Sequence, residues 1–330
     1  MKKCYLALLA LAVLLVSATP SISAEVVKAP ANTSGIVKAG GGAIGGIGYV
    51  VMTAVADVTK KTFPRLTVNI VPGGWIGNLA RIERGDLDVG SSSFASFAVV
   101  ASKPDQKIDS VRTLFASQDK NYYFAMVRAD IPVKSLNEVI EKKIPLRWCT
   151  NGKNNIGEFF FRTLFESQGV TWKDVESWGG KVNFVSWNDA ADQIKDGHAD
   201  GVLGIGLEKI GWLMDLTQVR DMKFIAIEGD LIEAAKKTFG VKVGTIPGGT
   251  YRGNPEPYDC PEDTGITFVS ANLPDDQVIA ILQSIADNPE AYRKYHSSFA
   301  DFKPENMPKG VGLPLHKAAE RFYKSRGWLQ

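Results

Sequence analysis

Histidine and cysteine are scarce in this chain of 330 residues, with three of each. His198, His296 and His316 are far apart and show no H-E-x-x-H or similar spacing, so no metal site is expected. Cys4 precedes an N-terminal apolar stretch, which leaves Cys149 and Cys260 for the body of the chain. These two could pair in an oxidising compartment, but two cysteines make no disulfide framework, and they are read as free, buried thiols. Basic runs interleaved with aromatics are missing and the net charge is only +2, which argues against nucleic acid as a partner. There is no G-x-S-x-G, no P-loop and no C-x-x-C. Asp119 and Glu158 stand as single carboxylates without a visible partner. An enzyme is therefore not expected, and a secreted hydrolase with a Ser–His–Asp set assembled in space is the catalytic rival.

Long apolar runs are missing too. Lys2 and Lys3 precede an apolar stretch over 6–16, followed by small residues at Ala18, Ser21, Ser23 and Ala24. This is the order of a secretory signal peptide, and the stretch is shorter than the ~20 residues of a membrane span. Residues 1–24 are read as a signal, and the mature protein is expected to be soluble and periplasmic. A composition of 45% hydrophobic and 22% charged residues suits a globular chain long enough for two domains.

Short β-rich runs alternate with helical patterns, the mark of an α/β sheet. Strands are predicted near 66–71, 87–89, 122–127, 146–149, 182–185, 201–205, 224–227 and 265–269. Helices are predicted near 49–62, 76–83, 135–141, 158–167, 188–195, 230–239, 275–286 and 314–325. The plan of residues 76–89, helix then Arg84-Gly85-Asp86 then strand, returns over 189–202 around Asp196-Gly197-His198. Such an echo fits two similarly built lobes facing each other, with ligand at the carboxyl ends of their strands.

Four strand ends carry small or polar loops. The first is the glycine-rich turn Gly40 to Gly48, which leads into a helix where backbone N–H groups can converge on a ligand. Gly40, Gly42 and Gly45 satisfy G-x-G-x-x-G, but the following strand ends in Pro72-Gly73-Gly74-Trp75 without the acid that dinucleotide binding requires, and no cofactor is expected. A small-ligand loop and a purely structural turn remain the two readings. The second loop is Gly90-Ser91-Ser92-Ser93, whose hydroxyls suit a helix cap or a ligand. The third, Thr150 to Asn155, offers amides and the Lys153 ammonium beside a helix start, a seat for a carboxylate or a solvated turn. The fourth is Gly204-Ile205-Gly206. Trp75 and Trp187 each begin a helical segment and could wall a cleft or lie in the core.

The segment Gly244-Thr245-Ile246-Pro247-Gly248-Gly249-Thr250-Tyr251 resembles that of the TAXI family of TRAP transporter solute receptors. A glycine-rich first turn ending in Tyr49 is similar as well. So are the pattern of Gly74, Asn78, Leu79, Gly85, Asp88, Val89 and Gly90, the run Val127-Arg128-Ala129-Asp130, and Pro314-Leu315-His316 with Tyr323 and Gly327. The resemblance implies an α/β, two-lobed periplasmic binding protein fold of type II, each lobe a sheet flanked by helices. It implies hinge strands crossing near 122–128 and 264–270, with lobe 1 over 25–128 and 268–330 and lobe 2 over 129–267. It implies a receptor for a small organic acid or amino acid, glutamate in several relatives, that delivers to a sodium-driven permease of small and large membrane subunits. A binding protein of an ATP-driven importer or a sensor kinase is the alternative.

The candidate ligand-binding set is Gly42, Ile44, Gly45, Tyr49, Trp75, Ser91, Ser92, Gln118, Asn151, Lys153, Asn154, Asn155, Trp187 and Gly204. The loop Gly152-Lys153-Asn154-Asn155-Ile156 departs from the hydroxyl-rich loop of many relatives, and Ile44 replaces a hydroxyl. The solute is therefore not fixed as glutamate, and Lys153 points to a carboxylate. N-terminal sequencing of the exported protein is expected to begin at Ala24 or Glu25; an intact Met1 would refute the export reading.

Overall fold

A computed structural model describes residues 25–42, 46–101, 108–153, 155–311 and 313–330. The signal segment, and Ile44, Gly45 and Asn154 of the candidate set, lie outside the described residues. The chain opens with β1 (Gly35–Gly40), α1 (Ile47–Thr62), β2 (Leu66–Val71), α2 (Trp75–Glu83) and β3 (Val89–Ser93), and β1 pairs in parallel with both β2 and β3. Then come α3 (Phe94–Ala101), the long strand β4 (Val111–Arg128) and α4 (Leu136–Glu141).

The opening plan then returns as β5 (Arg147–Thr150), α5 (Ile156–Ser167), α6 (Trp172–Ser177), β6 (Lys181–Phe184), α7 (Trp187–Lys195) and β7 (Gly201–Gly206). Here β5 pairs in parallel with β6 and β7. The remainder is α8 (Gly211–Val219), β8 (Met222–Ile225), α9 (Gly229–Phe239), β9 (Lys242–Ile246), β10 (Tyr258–Ser270), α10 (Asp275–Asp287), α11 (Pro289–Arg293) and α12 (Lys317–Ser325).

Strand order runs β2-β1-β3-β10-β4-β7-β5-β6, so each half repeats the other outward from the antiparallel β10–β4 pair. The internal echo extends to single hydrogen bonds. The Arg81 carbonyl accepts from the N–H groups of Asp86 and Leu87, and the Gln193 carbonyl accepts from His198 and Ala199. Gly85 and Gly197 take the left-handed conformation between, with φ of 77° and 74°. Asp88 then accepts from the Lys38 N–H on β1, and Asp200 from the Arg147 N–H on β5.

Separate cores support the halves. One packs α1, α10 and α12 around Val55, Ile281 and Phe322, and another packs β4, α5 and α9 around Tyr123, Phe160 and Phe239. No helix among the described residues is long and apolar enough to cross a membrane. Cys149 and Cys260 are free and buried.

Two sequence expectations need correction. Residues 91–93 are not a loop after a strand at 87–89, because β3 itself runs through Ser93 and all five of its residues are buried. Their hydroxyl side chains hide the strand pattern, but β10 pairs with them (Thr267 opposite Ser91, Gly265 opposite Ser93), and Ser92 Oγ donates to the Trp75 carbonyl at 2.8 Å. The crossing strands are also longer than expected, since tertiary pairing on both sides extends them past the apolar stretches visible in sequence. Residues 122–127 of β4 already pair with β7, and β10 passes from β9 at Glu262 to β3 at Gly265.

At this passage β10 shifts register against β4 between Thr264 and Ile266. Two carboxylates are enclosed there. Asp119 accepts from Ser117 Oγ and, at 2.6 Å, from Asn121 Nδ2. Asp263 accepts from the Thr264 N–H at 2.8 Å and the Ala95 N–H at 3.4 Å. Burial pushes the Asp263 carboxyl up to about 7, with the neighbouring Asp119 charge adding to the rise against its hydrogen bonds.

The sign follows by linkage. In the unfolded chain Asp263 ionises near the ordinary value of about 3.9, whereas in the folded protein it holds its proton to about 7. Its stabilising contribution is therefore present below pH ~4 and lost as pH rises to about 7. Urea unfolding of wild type and Asp263→Asn at a series of pH values is expected to show wild type falling relative to the variant across this window. The relative loss should reach a few kcal/mol, at about 1.4 kcal/mol per unit of displacement.

Candidate functional site

The turns after β1, β2, β5, β6 and β7 surround one cavity of about 390 Å³. Gly42, Ile47 and Gly48 come from the first turn, and Gly74 and Trp75 from the second. Asn151, Asn155 and Ile156 face them from the other half, with Trp187, Ile205, Leu207, Lys209, Ile210 and Trp212. Asn121, from the β4–β10 crossing, and His296 complete the wall. Both halves contribute, and the loops around Gly74 and Asn155 approach closely, a Cβ built on Gly74 lying 3.7 Å from Asn155 Oδ1.

Local rules explain how these residues are presented. Each helix start at the cavity follows a strand end, so its first N–H groups are turned toward the space beyond the sheet. The helices α1, α2 and α8 start at Gly46, Gly74 and Ile210 with no capping side chain and no acid in the first turn. Their positive ends are unneutralised by protein. By contrast α5 is served by Asn151, whose Oδ1 accepts from the Glu158 N–H at 2.8 Å, and α7 is capped by Ser186.

Behind the lining, Asn78 is fully buried, and its Nδ2 lies 3.1, 2.8 and 2.8 Å from the carbonyls of Gly40, Gly41 and Ser91. It ties the first turn to β3. Tyr251, at the end of the Gly244–Tyr251 segment, accepts from the Ile210 N–H at 3.1 Å and donates to the Glu208 carbonyl at 2.9 Å. That motif therefore shapes the start of α8 from outside the cavity.

Trp187 and Trp212 stack with centroids 5.4 Å apart and planes 6° from parallel. No hydrogen bond occupies their indole N–H groups or that of Trp75 among the described residues. Burial lowers the His296 imidazole below its ordinary range against the pull of Asp119. Its Nδ1 meets Ser298 Oγ at 2.9 Å and caps the Ser298 N–H at 3.1 Å. This nitrogen is engaged in the local turn at Ser298.

Of the sequence candidates, Gly42, Trp75, Asn151, Asn155 and Trp187 come together in the lining. The other described candidates are placed elsewhere. The Tyr49 ring packs against Gly41, where a Cβ would stand 2.8 Å from it. Ser91 and Ser92 are buried in β3 behind Gly48 and Trp75. Gln118 holds the loop at Lys303 through two bonds of 2.9 and 3.1 Å. Lys153 is exposed and sits over the Phe184 ring at 4.7 Å. Gly204 is an interior strand position whose Cβ would strike the Phe124 ring at 2.4 Å.

Trp212, Ile205, Leu207, Lys209, Asn121 and His296 were not foreseen as lining residues. The glycine pair Gly204 and Gly206 was the signal for the Ile205–Lys209 stretch, whereas nothing local marks Asn121 or His296, which arrive through the fold.

Two repeated half-sheets, two shared crossing strands and a cavity at the strand ends define the two-lobed periplasmic binding protein fold. The chain belongs to the NMT1-like family, whose model matches residues 39–327. In fold it is similar to PhnD1 from Prochlorococcus marinus in complex with methylphosphonate. That likeness has a TM-score of 0.53 and 12% identity, and covers 89% of this chain and 99% of the other. It is similar too to XAC2383 from Xanthomonas citri bound to ATP, with a TM-score of 0.51, 10% identity, and coverage of 90% of this chain and 100% of the other. At these identities the likeness is one of fold. The family matched is described as NMT1-like, so the narrower TAXI assignment rests on the motifs alone.

A Cβ on Gly48 would meet Trp75 Nε1 at 2.6 Å and Ser91 Oγ at 2.9 Å. Because the indole is the movable partner, Gly48→Ala is expected to swing it into the cavity. Binding of the solute carried by wild type should weaken about tenfold or more (1.4 kcal/mol), by fluorescence titration, with little change in melting temperature.

Proposed function

We propose that this chain is an exported solute receptor that encloses a small organic anion between its two halves and hands it unchanged to a membrane importer. The observation that carries the reading is the meeting of three bare helix N-termini, those of α1, α2 and α8, at one cavity walled from both halves. Such ends attract anions, and walls from both halves supply the differential affinity that favours a closed state. The lobes divide where β4 and β10 cross, and bending there is the motion proposed. Export rests on the signal-like N-terminus.

For the importer, the TAXI-like motif set supports a sodium-coupled TRAP permease, and an ATP-driven permease is the other reading. Reconstitution with each permease type, energised by ATP or by a sodium gradient, separates the two.

Mass spectrometry of protein purified under native conditions is expected to release one small organic acid in its original chemical form. Saturable quenching or enhancement of tryptophan emission should follow its return. Release of a hydrolysed product would defeat the receptor reading in favour of the hydrolase. Lys153→Ala, lying outside the lining, is expected to leave affinity within about threefold (under 1 kcal/mol). The Thr150–Asn155 loop read alone would instead have it lose more than about tenfold.

A further inference from the structure

The charge inventory of the cavity separates classes of organic acid. Among the described residues that line it there is no Asp or Glu, while Lys209 is a cation. Three carboxylates adjoin the wall without lining it: Glu208, between the lining residues Leu207 and Lys209, and two that are already engaged. Asp119 lies behind Asn121, whose amide donates to it, and Glu158 accepts from Arg162 Nε at 2.9 Å and Trp172 Nε1 at 3.1 Å. Unengaged polar groups at the wall are mostly donors: the indole N–H groups of Trp75, Trp187 and Trp212 and the first turns of α1, α2 and α8. The wall also carries the amides of Asn121, Asn151 and Asn155 and the His296 ring, and its apolar part is the flat face of the Trp187–Trp212 stack with Ile156, Ile205 and Ile210.

A carboxylate finds donors here, and an apolar body finds matching surface. An ammonium group finds no counter-charge among the described lining residues, and a desolvated charge left unpaired is strongly penalised. We propose that the cavity selects an amine-free carboxylate with a flat or branched apolar body, such as an aryl or branched-chain 2-oxo acid, and rejects the matching α-amino acid. The inference rests on the receptor reading and narrows its solute class.

The test is calorimetric titration of wild-type protein, stripped of carried solute, with matched pairs: phenylpyruvate against phenylalanine, and 4-methyl-2-oxopentanoate against leucine, with glutamate alongside. The 2-oxo acid of at least one pair is expected to bind about 100-fold or more tighter than its amino acid, the scale of an unpaired buried charge. Asn155→Asp places a carboxylate at the wall, at a helix cap position that Asp suits. It is expected to narrow that ratio about tenfold by admitting the ammonium and repelling the acid. Amino acids binding as tightly as their oxo partners, or glutamate binding while both oxo acids do not, would overturn the inference. Either result would leave the receptor reading standing, whereas release of a chemically altered solute from native protein would end that reading itself.

Discussion

The antiparallel pairing of β4 with β10 is the join on which the rest of the molecule depends. Both strands belong to two half-sheets, with β3 beside one end of β10 and β7 beside one end of β4. The pairing shifts register after Thr264 and after Thr267, irregularities of the kind that bend strands. Gly265 makes the bend possible, because a Cβ there would stand 2.3 Å from Asp119 Oδ1 and 2.5 Å from Ser117 Oγ. Enclosing Asp119 and Asp263 at this point is costly unless every lone pair is engaged, and the donors Ser117, Asn121, Thr264 and Ala95 engage them. The same Asn121 lines the cavity, so the crossing and the site share one hydrogen-bond network.

From that join the two halves grow outward by one plan. The αβ junctions at Gly85 and Gly197 have the same carbonyl acceptors at equivalent places, and Asp88 and Asp200 clamp the same neighbouring strand position. The copies then diverge in use. Asp200 adds ion pairs to Arg147 and Arg128, which outweigh the upward push of its burial and hold its carboxyl below the usual range. Shared geometry places Trp75 and Trp187 at corresponding helix starts, one from each half. A cleft with matched aromatic walls thus follows from repetition.

Much of this plan was legible. Short β-rich runs marked β2, β5, β6 and β7, glycine-bearing junctions exposed the repeat, and apolar spacing gave α1, α5 and α10. Short helices escaped notice for physical reasons. In α6, only Val175 is buried among its six residues, so no apolar periodicity follows its Thr171 cap, and α8 starts at Gly211 behind an uncapped Ile210 with no start signal. In β3, serine hydroxyls satisfied by neighbouring groups stand where apolar side chains were sought. At the site, sequence identified the turns and five lining residues. Lys153 lies over the Phe184 ring outside the lining, and a cation in a polar loop looks the same in sequence whether it turns inward or lies over such a ring. Asn121 and His296 carry no local signature at all.

The uncapped helix starts show how stability and binding compete in such a site. A Ser, Thr or Asp cap contributes about 1 kcal/mol, and α4, α6 and α7 each have one, from Ser135, Thr171 and Ser186. At α1, α2 and α8 that gain is forgone, which leaves donors for something outside the chain. In open water those donors would discriminate little, because water satisfies them equally well. The indoles of Trp75, Trp187 and Trp212 change the comparison by displacing solvent and lowering the local dielectric, so that an anion gains more than the water it replaces. Position must then be held firmly for the gain to be collected, and Tyr251 and Asn78 do this from behind the wall. In the receptor proposed above, selectivity therefore comes from donors that the fold leaves bare, and affinity from the aromatic surface that dries them.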